Sequence, residues 1–168
     1  MLRPTDPPAN RLLSPPVLLG SLLLVGFAPF ARGTFGSIVA SGLALILLLF
    51  DLPHTGIWLP IAAGFALLSW LTGRAVLRDR KMGNDPGWFV LDEAAGVFLV
   101  LALIGAGTPL DILAGLLTFR LYDIAKPWPV RVFEQMPGSL GILTDDLAAA
   151  VFAAWTVWAV RAAMPGLT

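Results

Sequence analysis

The sequence of 168 residues is 57% hydrophobic and only 13% charged, with a mean hydropathy of +0.82. Soluble domains carry about 45–50% apolar and about 25% charged residues, so this balance excludes an ordinary water-soluble domain and fits one membrane domain. Eleven basic residues cancel eleven acidic ones, which leaves no basic excess for nucleic acid, and the absence of cysteine excludes disulfides and thiolate nucleophiles.

In chain order, residues 1–16 are polar and proline-rich and are expected as a disordered or surface tail, ahead of a single helical domain over 17–168. Residues 17–27 are apolar but about half the length of a spanning helix, which predicts a short interfacial or half-buried helix. The same stretch imitates a signal-peptide core. Pro29 inside the would-be cleavage motif, and Asp6 among the preceding basic residues, argue against that reading. A small-residue loop is expected over 33–37, then apolar runs at 38–50 and 57–72 joined by a turn that contains His54. Arg74, Arg78, Arg80 and Lys81 follow together, and Asn84-Asp85-Pro86-Gly87 breaks the chain. Further apolar runs cover 89–104, 110–122 and 147–160, with a polar stretch from Asp123 to Asp146 before the last. Period-2 alternation is absent, so the expected fold class is all-α: a polytopic membrane protein with about four to five membrane helices.

Alternating the runs across a bilayer, with the Arg74–Lys81 cluster in the cytoplasm as the positive-inside rule asks, puts every basic residue except Arg161 on the cytoplasmic side. The same assignment gathers Thr34, Ser37, Asp85, Asp92, Glu93, Arg120, Asp123, Lys126, Asp145 and Asp146 at one membrane face.

Asp92-Glu93 and Asp145-Asp146 each open an apolar run, where a single acid would serve to cap a helix. Both positions are doubled, and Asp123 adds a fifth acid within an apolar stretch. Carboxylates at membrane depth are costly and point to function, and five together repel one another unless cations share the site. With one histidine and no cysteine, any metal would be held by oxygen ligands, which favours magnesium, calcium or manganese, and a magnesium site of carboxylates, water and a substrate phosphate meets the requirement. Arg120 and Lys126 are candidate phosphate partners, the first as a bidentate fork and the second as a point charge held before Pro127-Trp128-Pro129. The alternative is local pairing of Arg120 with Asp123 and snorkelling of Lys126 to the headgroups. Gly33-Thr34-Phe35-Gly36-Ser37 could present amides and hydroxyls to an anion, or Thr34 or Ser37 could act as a plain helix cap. Trp58, Trp70, Trp155 and Trp158 are expected to face lipid or the interface.

Four segments in this order, GFAPFARGTFGS (26–37), NDPGWFVLDEAAG (84–96), FRLYDIAKPWPVR (119–131) and GSLGILTDD (138–146), resemble the phosphatidylglycerophosphatase A family. The resemblance implies a helical enzyme of the bacterial inner membrane that removes the terminal phosphate of phosphatidylglycerophosphate with Mg2+, from an active site facing the cytoplasm. It implies metal ligation by Asp92, Glu93, Asp123, Asp145 and Asp146. Asp92, Glu93, Asp123, Lys126 and Asp145 become catalytic, and Arg32, Gly33, Thr34, Ser37, Arg120 and Lys126 substrate-binding. Arg32 departs from the family, which usually carries proline there, and offers an extra phosphate contact. The nucleophile is left open between water and a carboxylate. Other readings of the same residues are a phosphatase or transferase for a different lipid phosphate, or a non-enzymatic transporter binding cations.

Overall fold

The computed structural model describes residues 6–50, 54–78, 86–133 and 136–164. Seven α-helices stand among the described residues: α1 (Pro15–Gly20), α2 (Arg32–Leu49), α3 (His54–Val76), α4 (Leu91–Ile104), α5 (Pro109–Ala125), α6 (Val130–Phe133) and α7 (Ser139–Ala163). No strand occurs among the described residues, as the missing period-2 pattern requires. Three helices are long and apolar enough to cross a bilayer: Arg32–Leu49, Gly56–Val76 and Ser139–Ala163. They carry exposed apolar side chains such as Ile46, Leu67 and Val151, which is how a helix meets lipid rather than water.

The short helix α4 is the central post, packed against α2, α3, α5 and α7. Its side chains are almost all enclosed, from Leu91 through Ala94, Val97, Phe98 and Leu101 to Ile104. Small residues let the neighbours close in on it. Ala149, Ala150, Ala153 and Ala154 form the buried stripe of α7, and a Cβ on Gly96 would collide with the Phe119 ring of α5. Between helices in lipid such close contact supplies the attraction that the hydrophobic effect supplies in water.

Two locks fasten the end of the bundle opposite to the acids. Arg161 Nη1 donates to the carbonyl oxygen of Ile104 at 2.7 Å, and its other nitrogen pairs with Asp111. Asp111 also closes a capping box with Thr108 at the start of α5. Trp58 donates from Nε1 to the Ala106 carbonyl at 2.7 Å and is only 1% exposed, so it belongs to the core and not to the lipid face expected of it. Trp155 and Trp158 are exposed as expected.

Several boundaries differ from the sequence reading. The segment 33–37 is no loop: α2 begins at Arg32, after Ala31 in the left-handed region, and its glycines lie inside the helix. The polar stretch before the last run contains α6 and the first two turns of α7, so Asp145 and Asp146 lie within α7 and not at its entrance. Helix α3 starts at His54 inside the expected turn, whose Leu52 and Pro53 lie outside the described residues. The apolar stretch 17–27 splits into the end of α1 and a 3-10 turn, Val25–Phe27, across three consecutive left-handed leucines, Leu22 to Leu24. Of the tail expected over 1–16, residues 6–16 are described: Asp6 forms a bidentate pair with Arg32 and Pro7 is fully enclosed.

Candidate active site

The start of α4 and the second turn of α7 face each other, with the start of α2 and the end of α5 closing the sides. The cleft between them measures about 320 Å³ and is lined by Arg32, Gly33, Asp92, Glu93, Arg120, Asp123, Lys126, Asp145 and Asp146, together with Ala31, Gly87, Phe89 and Ile142. Nine of the positions expected to carry chemistry therefore share one cavity. Because α7 begins about two turns before Asp145, the cleft is recessed roughly 10 Å from that helix end.

Within it the charges are sorted. Carboxylate oxygens of Asp92, Glu93 and Asp146 lie within 4.8 Å of one another. Asp92 and Asp146 are 5% and 4% exposed, and Glu93 Oε2 is buried with no hydrogen-bond partner. An orphaned carboxylate oxygen among like charges is expensive, and a divalent cation offsets both costs. The donor set is oxygen only, so the trio fits magnesium.

The other two acids hold cations. Arg120 Nη1 lies 2.6 Å from Asp123 Oδ2, and Lys126 Nζ donates to Asp145 Oδ2 at 2.6 Å. The local Arg120–Asp123 pair weighed from the sequence thus forms one helical turn apart, yet it forms inside the cleft. Lys126 does not snorkel away. It caps α5 in the left-handed region and turns back toward α7. Adjacent residues on a helix point about 100° apart, so Asp145 reaches Lys126 while Asp146 reaches the α4 acids.

Helix capping accounts for part of the α4 pair, where Asp92 accepts from the first-turn amide of Glu93, and for neither acid of α7. The side chains of Asp145 and Asp146 sit too far inside α7 to cap it, and the N-cap of α4 is Val90. Asp92 Oδ1 accepts from the Glu93 amide and Asp145 Oδ1 from the Asp146 amide, both at 3.1 Å, which fixes the rotamer of the first acid in each pair.

The α2 residues divide into different tasks. Gly33 provides space, since a Cβ there would run into Glu93 Oε1 and stand 3.4 Å from Arg120 Nη1. Ser37 bonds the Gly33 carbonyl at 3.0 Å and stands 3.4 Å from Arg120 Nη1, supporting that guanidinium from behind. Thr34 does not line the cleft. Arg32 does, but its guanidinium is engaged by Asp6 at 2.6 and 2.9 Å and by the Ala28 carbonyl at 3.1 Å. Asp85, Arg80, Lys81 and Asn84 lie outside the described residues. Sequence reasoning missed Phe89 and Ile142 as walls and Asp6 as the partner of Arg32. Ile142 stands one turn before Asp146 and could have been found by helical spacing, whereas Asp6 carries no signal at all.

The phosphatidylglycerophosphatase A family matches residues 18–161. A phosphatidylglycerophosphatase A from Haemophilus influenzae is 38% identical over 145 residues, 83% of this chain and 87% of that protein. Its Escherichia coli K12 namesake is 32% identical over 139 residues, 79% of this chain and 78% of that protein. A Bacteroides thetaiotaomicron protein, provisionally named a phosphatidylinositol-3-phosphatase, is 34% identical over 143 residues, covering 82% and 87%. No solved structure matches the chain. A recessed cleft of carboxylates, arginine and lysine inside a helical membrane bundle, with a family match over most of the length, identifies the chain as a phosphatase of the phosphatidylglycerophosphatase A family.

Proposed function

We propose that the protein hydrolyses the terminal phosphate monoester of phosphatidylglycerophosphate to phosphatidylglycerol and phosphate, with magnesium, at the cytoplasmic face of the bacterial inner membrane. The observation that carries this reading is the sorting of one cleft into three clustered carboxylates beside two carboxylate-held cations. Asp92, Glu93 and Asp146 would hold the metal, which supplies charge neutralisation to the phosphate oxygens.

The chain's own residues do the rest. Asp123 and Asp145 hold Arg120 and Lys126 in position before substrate arrives, so little reorganisation is needed when phosphate enters. Phosphate oxygens then share both cations, the arginine as a fork and the lysine as a point charge. Asp145, relieved of part of its counter-charge, takes the proton of the attacking water as the P–O bond to the glycerol breaks, and returns it to the departing glycerol oxygen. The exposed stripe of Leu110, Leu113, Leu117, Leu121 and Ile124 on α5 offers the acyl chains an apolar path beside the cleft. Charge supports a cytoplasmic orientation: Arg74, Arg78, Lys126 and Arg131 lie toward the cleft end of the bundle and Arg161 at the other.

A second reading keeps the chemistry and changes the headgroup. It is favoured by the name of the Bacteroides relative and by a lining whose polar side chains, among the described residues, are all charged, without neutral donors to select a particular alcohol. Phosphate release from the purified protein tests both. The panel is phosphatidylglycerophosphate, phosphatidate, phosphatidylinositol 3-phosphate and a prenyl diphosphate, each with and without EDTA. Release from phosphatidylglycerophosphate that EDTA abolishes and magnesium restores is expected. Preference for another member would transfer the assignment to that headgroup, and EDTA-insensitive release would overturn the metal assignment.

A further inference from the structure

A second cavity opens at the same end of the bundle and shares no lining residue with the acidic cleft. It measures about 520 Å³ and lies between the end of α3 and the start of α7, walled by Trp70, Arg74, Leu77, Arg78, Pro137, Gly138, Ser139 and Leu140. Among the described residues that line it, the charge is all positive. Arg74 lies over the Trp70 ring at 4.9 Å, a contact that holds the guanidinium without neutralising it. Neither Arg74 nor Arg78 has a carboxylate partner among the described residues.

The opposite wall supplies donors. Helix α7 starts here after Gly138 with no side-chain cap, so its first amides present their hydrogens and the positive end of the helix dipole to the cavity. Ser139 is 8% exposed, and its hydroxyl makes no hydrogen bond among the described residues. Ser139 lines the cavity, so its hydroxyl is open to a ligand bound there. Two arginines, an uncapped helix start and an unpaired hydroxyl are together the donors that a phosphate group accepts from.

From this we infer that the α3–α7 cavity is a second phosphate-binding site, separate from the site of hydrolysis, which takes the phosphodiester headgroup of an anionic phospholipid. It lies about two turns nearer the start of α7 than Asp145, so it is nearer that end of the bundle than the recessed acidic cleft. Trp70 and Leu77 give its rim the apolar character that suits a glycerol backbone. The site retains a bilayer lipid and does not depend on which substrate the cleft accepts.

Binding to the full chain in neutral detergent tests this, with tryptophan fluorescence as readout because Trp70 lies beneath Arg74. Short-chain phosphatidylglycerol, short-chain phosphatidylcholine and inorganic phosphate are titrated separately. Saturable binding of phosphatidylglycerol is expected, weakened roughly tenfold by Arg74→Gln or Arg78→Gln. Arg131→Gln removes an equal charge from an exposed position outside the cavity and should leave it unchanged. Arg78 is exposed, so Arg78→Gln reads binding without a folding defect. Binding of inorganic phosphate as tight as that of the lipid, lost with the same two arginines, would support the phosphate site and overturn the lipid as its occupant. Binding that Arg74→Gln and Arg78→Gln leave unchanged, or that Arg131→Gln weakens equally, would overturn the site.

Discussion

Lys126 Nζ donates to Asp145 Oδ2 at 2.6 Å, joining the carboxyl end of α5 to the second turn of α7. The contact ties two helices across the mouth of the cleft and stores a cation where a phosphate would need one. Replacing Lys126 with alanine should lower phosphate release about 100-fold or more, because a preset charge is lost and Asp145 is left among like charges. Lys126→Arg should retain a measurable part of the rate. Steady-state kinetics on phosphatidylglycerophosphate decides this, and a Lys126→Ala enzyme of undiminished kcat would remove lysine from the machinery.

Acid substitutions should separate by task. Asp92→Asn, Glu93→Gln and Asp146→Asn remove oxygens from the cluster and should raise the magnesium concentration needed for half-maximal activity by about tenfold or more. Asp123→Asn frees Arg120 and should lower kcat with much less change in that requirement. Magnesium titrations of activity would show the split. Equal shifts in all four variants would mean that the metal site extends to Asp123.

Gly33 and Gly42 make a matched pair on α2. A methyl group at Gly33 would meet the Glu93 carboxylate, so Gly33→Ala should abolish most activity. Gly42 has open space around it, and Gly42→Ala should leave the rate unchanged and hold or slightly raise the melting temperature. Activity retained in Gly33→Ala would show that α2 does not press on the acids.

Arg120 tests whether a fork or only a charge is needed. Arg120→Lys keeps the charge but loses the planar donors, and kcat should fall by about 10-fold or more. Ser37→Ala removes the 3.4 Å contact behind the guanidinium together with the 3.0 Å bond to the Gly33 carbonyl, and should cost a few-fold at most. A larger loss for Ser37→Ala than for Arg120→Lys would give the hydroxyl a direct part in phosphate binding.

At the far end, Arg161→Ala should lower stability by roughly 1–2 kcal/mol, less than a fully enclosed pair because both partners remain partly exposed. The KM should not move, since the pair lies at the opposite end of the bundle from the cleft. Thermal unfolding in detergent alongside kinetics checks both, and a raised KM would couple the two ends.

Most of the fold was legible from apolar runs, because a helix that faces lipid must be apolar over most of its length whatever it packs against. The run at 89–104 became α4, the helix that everything else surrounds, and at 14 residues it is about 21 Å long, short of a membrane's hydrocarbon thickness. Hydropathy alone could not distinguish such a buried post from a lipid-facing span. Trp58 was misplaced for the same reason: a large apolar side chain suits lipid and core equally, and only the Ala106 carbonyl beside it decides.

The sequence by itself brought Asp92, Glu93, Asp123, Asp145 and Asp146 to one end of the bundle, because acids are costly in an apolar span, while Asp111 stands at the other end with Arg161. Tertiary structure decided who pairs with whom. It gave Asp146 to the α4 acids and Asp145 to Lys126, turned the Gly33–Ser37 stretch into a helix pressed on Glu93, and gave Arg32 to Asp6. Those choices depend on the rotation of each helix about its axis and on the approach allowed by small residues such as Gly96 and Ala149, distances that no spacing along one helix encodes.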